Sequence, residues 1–153
     1  MSPRSVVDLV LRDAPVLPAT TAVEDAVRVL LDGDLPALPV TEEDGRYLGI
    51  FGEREFIQAV FPGYLQNLGY VGFVPQSLEE VLEKRRGCAR EPIRDHLLTE
   101  HVDVPVDCAD IQVAETFIHH RVLVVPVTDA GRVVGVITRR AFFTALAERF
   151  LSS

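Results

Sequence analysis

The chain has 153 residues, 48% hydrophobic and 25% charged, a balance that fits a folded soluble domain with a real core and excludes a disordered chain. Its formal net charge of −8 repels nucleic acid and anionic membrane surfaces at long range, which argues against a phosphate-backbone binder. Cys88 and Cys108 lack metal-ligand spacing and read as reduced thiols, and no apolar run reaches signal-peptide or membrane-span length, so the expectation is a cytoplasmic protein.

From the N-terminus, Ser5 to Leu11 reads as one helical turn packing its apolar side chains on the body. Pro15-Val16-Leu17-Pro18 is too rich in proline for a central strand and belongs at an edge. Thr20 or Thr21 then caps a helix, with Glu24 placed to complete a capping box. Val23, Ala26, Val27 and Leu30 form its apolar face, and Asp32-Gly33-Asp34 stops it. Two strands follow, Leu35 to Thr41 and Tyr47 to Phe51, joined through the hairpin signal Asp44-Gly45. A helix from Glu53 to Phe61, with Phe56, Ile57 and Val60 on one side, ends at Pro62-Gly63. The stretch from Pro62 to Glu91 is too apolar for a solvated linker. Its Tyr64, Tyr70 and Phe73 read with Phe61 as core or dimer-interface aromatics, or as a lid over a cleft. Ser77-Leu78-Glu79-Glu80 opens a further helix running through Arg86 and terminated by Gly87.

The same grammar then returns. Ile93-Arg94-Asp95 echoes Val6-Val7-Asp8, and Val104-Pro105-Val106 echoes Val16-Leu17-Pro18. Ile111, Ala114 and Ile118 follow Val23, Ala26 and Leu30 by 88 residues; Pro126 follows Pro39 by 87; Gly131 and Gly135 follow Gly45 and Gly49 by 86. Two single-residue deletions in turns account for that drift, and the last helix carries Phe142, Phe143, Leu146 and Phe150 as its apolar stripe. Each unit is strand, helix, strand, strand, helix, the mark of an internal duplication.

That unit, with Pro39-Val40 and Pro126-Val127 before the hairpins, Gly49 and Gly135 inside the last strands, and Arg54 and Arg139 at the final helix starts, resembles the CBS domain. The resemblance implies an α/β (α+β) fold of two repeats, residues 1–61 and 92–153, packed through their sheets about a pseudo-twofold axis. Residues 62–91 then form a helical insertion packed on the module. It further implies a homodimer with a regulatory role. No catalytic constellation or effector domain appears in the sequence, so the expectation is a non-enzyme that signals to a protein partner in trans. The charge and the absence of a membrane-length apolar run make neither nucleic acid nor membrane the expected partner. The two clefts between such repeats take AMP, ADP, ATP or S-adenosylmethionine as regulatory ligand, and no metal or cofactor is required. Carried onto this chain, the ligand-binding positions are Val16, Leu17, Leu38, Pro39, Val40, Gly52, Arg54 and Glu55 in the first repeat. In the second they are Val104, Pro105, Arg121, Val125, Pro126, Thr138, Arg139 and Arg140.

The chemistry is plain at the helix starts. Unpaired N–H groups and the positive dipole end suit phosphate oxygens, a hydroxyl or an Arg adds donors, and a first-turn carboxylate accepts from ribose hydroxyls. The family's Gly-x-x-Thr-x-x-Asp pattern is split here. The first repeat has Gly52 for the Thr and Glu55 for the Asp, whereas the second keeps Thr138 and has Ala141 for the Asp. Losing a charged hydrogen-bond acceptor costs about 1.5–3 kcal/mol, so the alternative of a pure interaction module with degenerate clefts stands beside the sensor reading.

Each residue also has a plainer reading. Glu55 could serve the helix dipole alone, and Thr138 could be a simple N-cap. Arg139 and Arg140 oppose the dipole at a helix start, which favours a phosphate contact. Gly49 and Gly135 read as structural, letting strand and helix pack closely. His119-His120-Arg121 suits a helix C-terminus better than a metal, and His96 and His101 read as surface residues. Cys108 has no base beside it in sequence, and Asp32, Asp34, Glu42, Glu43 and Asp44 read as a solvated acidic face.

Overall fold

Two β-hairpins built on the same turn chemistry organise the chain. In the computed structural model, which describes residues 5–61 and 77–152, Ala37–Thr41 (β2) pairs antiparallel with Tyr47–Gly52 (β3), and Val124–Asp129 (β5) pairs antiparallel with Arg132–Thr138 (β6). The turns need left-handed backbone, supplied by Gly45 (φ 89°) in the first and by Ala130 and Gly131 (φ 52° and 82°) in the second. Short strands Leu17–Pro18 (β1) and Val104–Pro105 (β4) add in parallel to β2 and β5, giving two three-stranded sheets of order β1-β2-β3 and β4-β5-β6. The proline-rich strands lie at sheet edges, as the missing N–H demands. The helices are Val6–Val10 (α1), Val23–Asp32 (α2), Glu53–Val60 (α3), Leu78–Lys84 (α4), Asp110–His120 (α5) and Arg139–Ser152 (α6). None of them is long and apolar enough to cross a membrane. Tyr64, Tyr70 and Phe73 lie outside the described residues.

The two repeats pack against one another through their sheets, and they also trade their leading segments. Val6 and Val7 of α1 are buried with Val104, Val125, Val127 and Ile137 of the second sheet and with Val113 of α5. The Val6 and Val7 N–H groups donate to the two carboxylate oxygens of Asp110 on α5 at 2.9 and 3.0 Å. Conversely Ile93, wholly buried, belongs to the core of the first sheet with Leu17, Val23, Val40 and Phe51. The trade continues into the backbone. Arg12 and Val136 exchange N–H···O bonds of 3.0 and 2.9 Å, and Leu98 and Ile50 exchange two of 3.0 Å. Val124 and Val136 sit in the first core as well, so the two sheets share apolar contacts.

Several expectations need correction. The helical registers differ by 87 residues, not 88. The N-caps are Ala22 and Ala109, buried Ala26 matches buried Val113, and Ile111 and Ile118 point outward at 72% and 75% exposure. β1 and β4 likewise align Leu17 with Val104 through the same partners, Val40 and Val127. No threonine caps α2: Ala22 is the N-cap, and the Val23 N–H is satisfied by the Glu91 carbonyl at 2.9 Å. Ser77 does cap α4, accepting from the Glu80 N–H at 3.2 Å, but the helix stops at Lys84 and Gly87 falls inside a 3-10 turn, Arg86–Arg90. This stretch packs on the first repeat: Val81 and Cys88 are buried, and the Arg85 guanidinium donates twice to the Ala59 carbonyl at 3.0 and 2.8 Å. On α6 only Phe142 is buried, whereas Phe143 and Leu146 are half exposed. His96 is not a surface residue; its side chain is 16% exposed against Glu91. The acidic face is partly paired, Asp34 with Arg12, Glu42 with Arg94 and Asp44 with Arg46.

Gly49 and Gly135 are structural for a different reason than strand-to-helix packing. A Cβ on Gly135 would lie 2.7 Å from the Arg12 carbonyl oxygen and 2.9 Å from Leu11 Cδ1, and one on Gly49 would collide with the Leu98 carbonyl. Glycine lets the traded segment cross against the strand. Gly135→Ala should therefore cost about 1–3 kcal/mol of unfolding free energy by overpacking. Gly87→Ala, whose Cβ would meet nothing within 4 Å, should be close to neutral; paired urea titrations compare the two.

Candidate functional site

Each final helix starts where its sheet ends, so the hairpin aims its N-terminus. The Glu53 N–H donates to the Pro36 carbonyl and the Arg139 N–H to the Leu123 carbonyl, both at 2.9 Å, locking α3 and α6 to the entries of β2 and β5. At α3 the N-cap is Gly52, and a Cβ there would lie 2.5 Å from both the Ala37 Cβ and the Pro36 oxygen. That contact explains why no threonine stands at this position. At α6, Thr138 Oγ1 accepts the Ala141 N–H at 3.1 Å, so its hydroxyl is an N-cap whose own proton remains available to donate.

Among the described residues, Glu55 on the first turn of α3 is the charged one that the fold buries, at 7% exposure. Burial pushes its carboxyl above the ordinary range, opposed less strongly by the backbone N–H groups of Glu55 and Gly52 and by the Arg54 charge. It lines a mostly apolar cleft of about 300 Å³. One wall is the hairpin of the first repeat, through Pro36, Ala37 and Ile50. The others are Leu98 on the traded segment and Arg121 to Val124 at the entry to β5. Arg121 is held there by a left-handed C-cap conformation at the end of α5 (φ 51°). An apolar slot with a first-turn carboxylate, a helix N-terminus and the guanidinium groups of Arg54 and Arg121 has the chemistry for a flat ring carrying hydroxyl donors and an anionic group.

The cleft thus brings together Arg54, Glu55 and Arg121 of the positions named from sequence, with Gly52 at its helix cap. Leu17, Leu38, Pro39 and Val40 are buried in the first sheet, and Val104, Val125 and Pro126 in the second, away from this lining. Val16 and Pro105 are exposed. Thr138, Arg139 and Arg140 stand at the other helix start, where the Arg140 guanidinium lies 5.4 Å from the centre of the Phe143 ring. Pro36, Ala37, Ile50, Glu53, Ile57, Leu98 and Val122 to Val124 also line the cleft without being among the positions named from sequence. The segment trade brings Leu98 there, and packing of the second sheet on the first core brings the entry to β5.

The pseudo-equivalent place in the second half differs. The counterpart of Leu98 is Arg12, by their matching bridges to Ile50 and Val136, and the 87-residue register makes Asp34 the counterpart of Arg121. Arg12 and Asp34 form a two-pronged ion pair there, both contacts 3.1 Å, and the guanidinium holds the Asp34 carboxyl below its ordinary range. Ala141 leaves that helix start without a carboxylate.

A family model described as CBS domain matches residues 6–62 and 104–148. The chain belongs to the CBS-domain family. No curated protein sequence matches it. Among solved structures, this CBS pair is similar to a CBS domain protein from Streptococcus pneumoniae TIGR4 (20% identity, TM-score 0.67, 94% of this chain and 87% of that one). It is also similar to CBSX2 in complex with AMP (21%, 0.68, 95% and 98%) and to a putative acetoin utilization protein from Vibrio cholerae (19%, 0.69, 97% and 93%). At these identities the likeness shows a shared fold.

The buried acid of this CBS pair has a measurable signature. With the folded-state pKa above the unfolded one, the folded chain binds the proton more readily, so stability falls as pH rises through that window. Glu55→Gln keeps an acceptor for the helix N–H groups and removes the buried charge. It should raise the melting temperature at pH 7, and the gain should vanish as pH drops below the carboxylate range. Thr138→Ala, a lost cap, should cost about 1 kcal/mol at every pH.

Proposed function

We propose that this CBS pair is a regulatory module, divided as 1–61, 62–91 and 92–153, that binds an adenosine nucleotide in the cleft at the start of α3 and passes its state to a protein partner in trans. The observation that carries the reading is Glu55: a carboxylate held at 7% exposure on the wall of an apolar cleft is costly to the fold unless a ligand uses it. Ribose hydroxyls donating to that carboxylate, an adenine ring in the Pro36–Ala37–Val124 slot and a phosphate at Arg54 and Arg121 fit the residues present. The AMP complex of the similar CBSX2 supports the same ligand class. One site per chain is the expectation, since Arg12–Asp34 and Ala141 take the place of the second. Half-exposed Ile57 on α3 and Phe143 and Leu146 on α6 support assembly as a homodimer.

Isothermal calorimetry with AMP, ADP, ATP and S-adenosylmethionine tests the reading. At least one should bind with a stoichiometry near one per chain, and Glu55→Ala should weaken it about tenfold or more. If no member of the panel binds or raises the melting temperature, the module is an interaction surface with empty clefts. If binding is unmoved by Glu55→Ala, the assignment of the cleft is wrong.

A further inference from the structure

We propose that Cys88, Glu91 and His96 form a divalent-metal site whose chemistry selects zinc. The proposal stands apart from the nucleotide cleft. Among the described residues these three side chains converge their ligand atoms, all within 4.8 Å of one another. His96 Nε2 lies 3.1 Å from Glu91 Oε1 and 4.0 Å from Cys88 Sγ. A tetrahedral zinc ion with bonds of about 2.3 Å to sulfur and about 2.0 Å to nitrogen and oxygen sets its ligand atoms roughly 3.3–3.5 Å apart. The arrangement is within a small side-chain adjustment of that geometry. In sequence the three ligands are spaced Cys-x-x-Glu-x-x-x-x-His, with a carboxylate between the cysteine and the histidine.

The backbone that carries the three ligands is already fixed. The Glu91 N–H donates to the Cys88 carbonyl at 3.1 Å, and the Glu91 carbonyl accepts from Val23 at 2.9 Å at the start of α2. The Ile93 and Arg94 N–H groups donate to the Thr21 and Ala19 carbonyls at 2.8 and 3.1 Å. Such anchoring spares an incoming ion the cost of ordering its ligands. Cys88 is buried, the His96 side chain is 16% exposed and that of Glu91 is 43% exposed, so the group is closed behind the sulfur and open to solvent at the carboxylate. A water takes the fourth position on that side.

The balance of charge and protons closes. Cys88 releases its thiol proton to solvent as the metal–sulfur bond forms, His96 offers the Nε2 lone pair, and Glu91 gives a carboxylate oxygen. Thiolate and carboxylate together neutralise a divalent ion, which suits a half-buried place. A soft thiolate with imidazole and one carboxylate favours zinc over magnesium or calcium. Moving the sulfur strands no partner: its weak contact with the Ala59 carbonyl is 4.0 Å, and Arg85 supplies that oxygen with two hydrogen bonds. Bound there, an ion would tie the 77–91 stretch to the segment that crosses onto β3 two residues later at Leu98.

The experiment uses the full chain, reduced and stripped with a chelator, then titrated with Zn²⁺ and separately with Co²⁺. One equivalent per chain should bind, zinc should raise the melting temperature, and cobalt should show a sulfur-to-metal charge-transfer band. Cys88→Ser and His96→Gln should each abolish that band or weaken binding at least about tenfold, and Cys108→Ser should leave both unchanged. His96→Gln keeps the test valid should the buried Cys88 variant fail to fold. Absence of uptake by the stripped wild-type chain, uptake that survives His96→Gln, or a cobalt band lost in Cys108→Ser would each overturn the proposal.

Discussion

The structure depends on a trade: each repeat sends its first segment to complete the other's sheet. Val6 and Val7 fill the second core and Ile93 fills the first, and Arg12–Val136 and Leu98–Ile50 join the backbones in the same antiparallel way. A three-stranded sheet with a free β3 or β6 edge would expose unpaired N–H and carbonyl groups, which such a bridge covers. Burying a side chain the size of Ile93 is worth about 1.5–3 kcal/mol, and it is available only when both halves are present. The pair, rather than the single repeat, is the unit of stability.

The cleft follows from that trade. Leu98 reaches the wall of the first-repeat cleft because its segment has left the second repeat, and the packing of the second sheet on the first core brings the entry to β5 beside it. The same operation applied to the other half delivers Arg12 instead of Leu98. Arg12 meets Asp34 there in a two-pronged, solvent-exposed ion pair. One geometry yields an apolar cleft with a buried acid on one side and an ion pair on the other. The difference between the halves rests on a handful of side chains at equivalent positions.

The hairpins, the strand and helix order and the family were legible in the sequence, because turn glycines and Pro-Val pairs recur at nearly constant spacing. What was not legible depended on contacts across the pair. Thr21 looked like a cap, yet the α2 start is served by the Glu91 carbonyl, which no local pattern announces. Ile111 and Ile118 mimic the spacing of Val23 and Leu30, yet face outward, because apolarity alone does not fix a register to one residue. Gly52 read as a missing hydroxyl, whereas the approach of Ala37 leaves no room for a side chain. Glu55 and Arg121 were named from sequence; that they share a wall with Leu98 follows only from the fold. The convergence of Cys88, Glu91 and His96 is not legible in their spacing, since it requires the turn between Cys88 and Glu91 and the anchoring of 91–94 near the start of α2.

Native-state hydrogen exchange of four amides, Arg12, Val136, Leu98 and Ile50, tests the trade most directly. If the traded segments hold the halves together, all four should exchange with the same opening free energy, equal to that of the β2 and β5 amides and to global unfolding. Fast exchange at Arg12 and Leu98 while β2 and β5 stay fully protected would contradict the account, since the sheets would then be stable without the segments that cross between them.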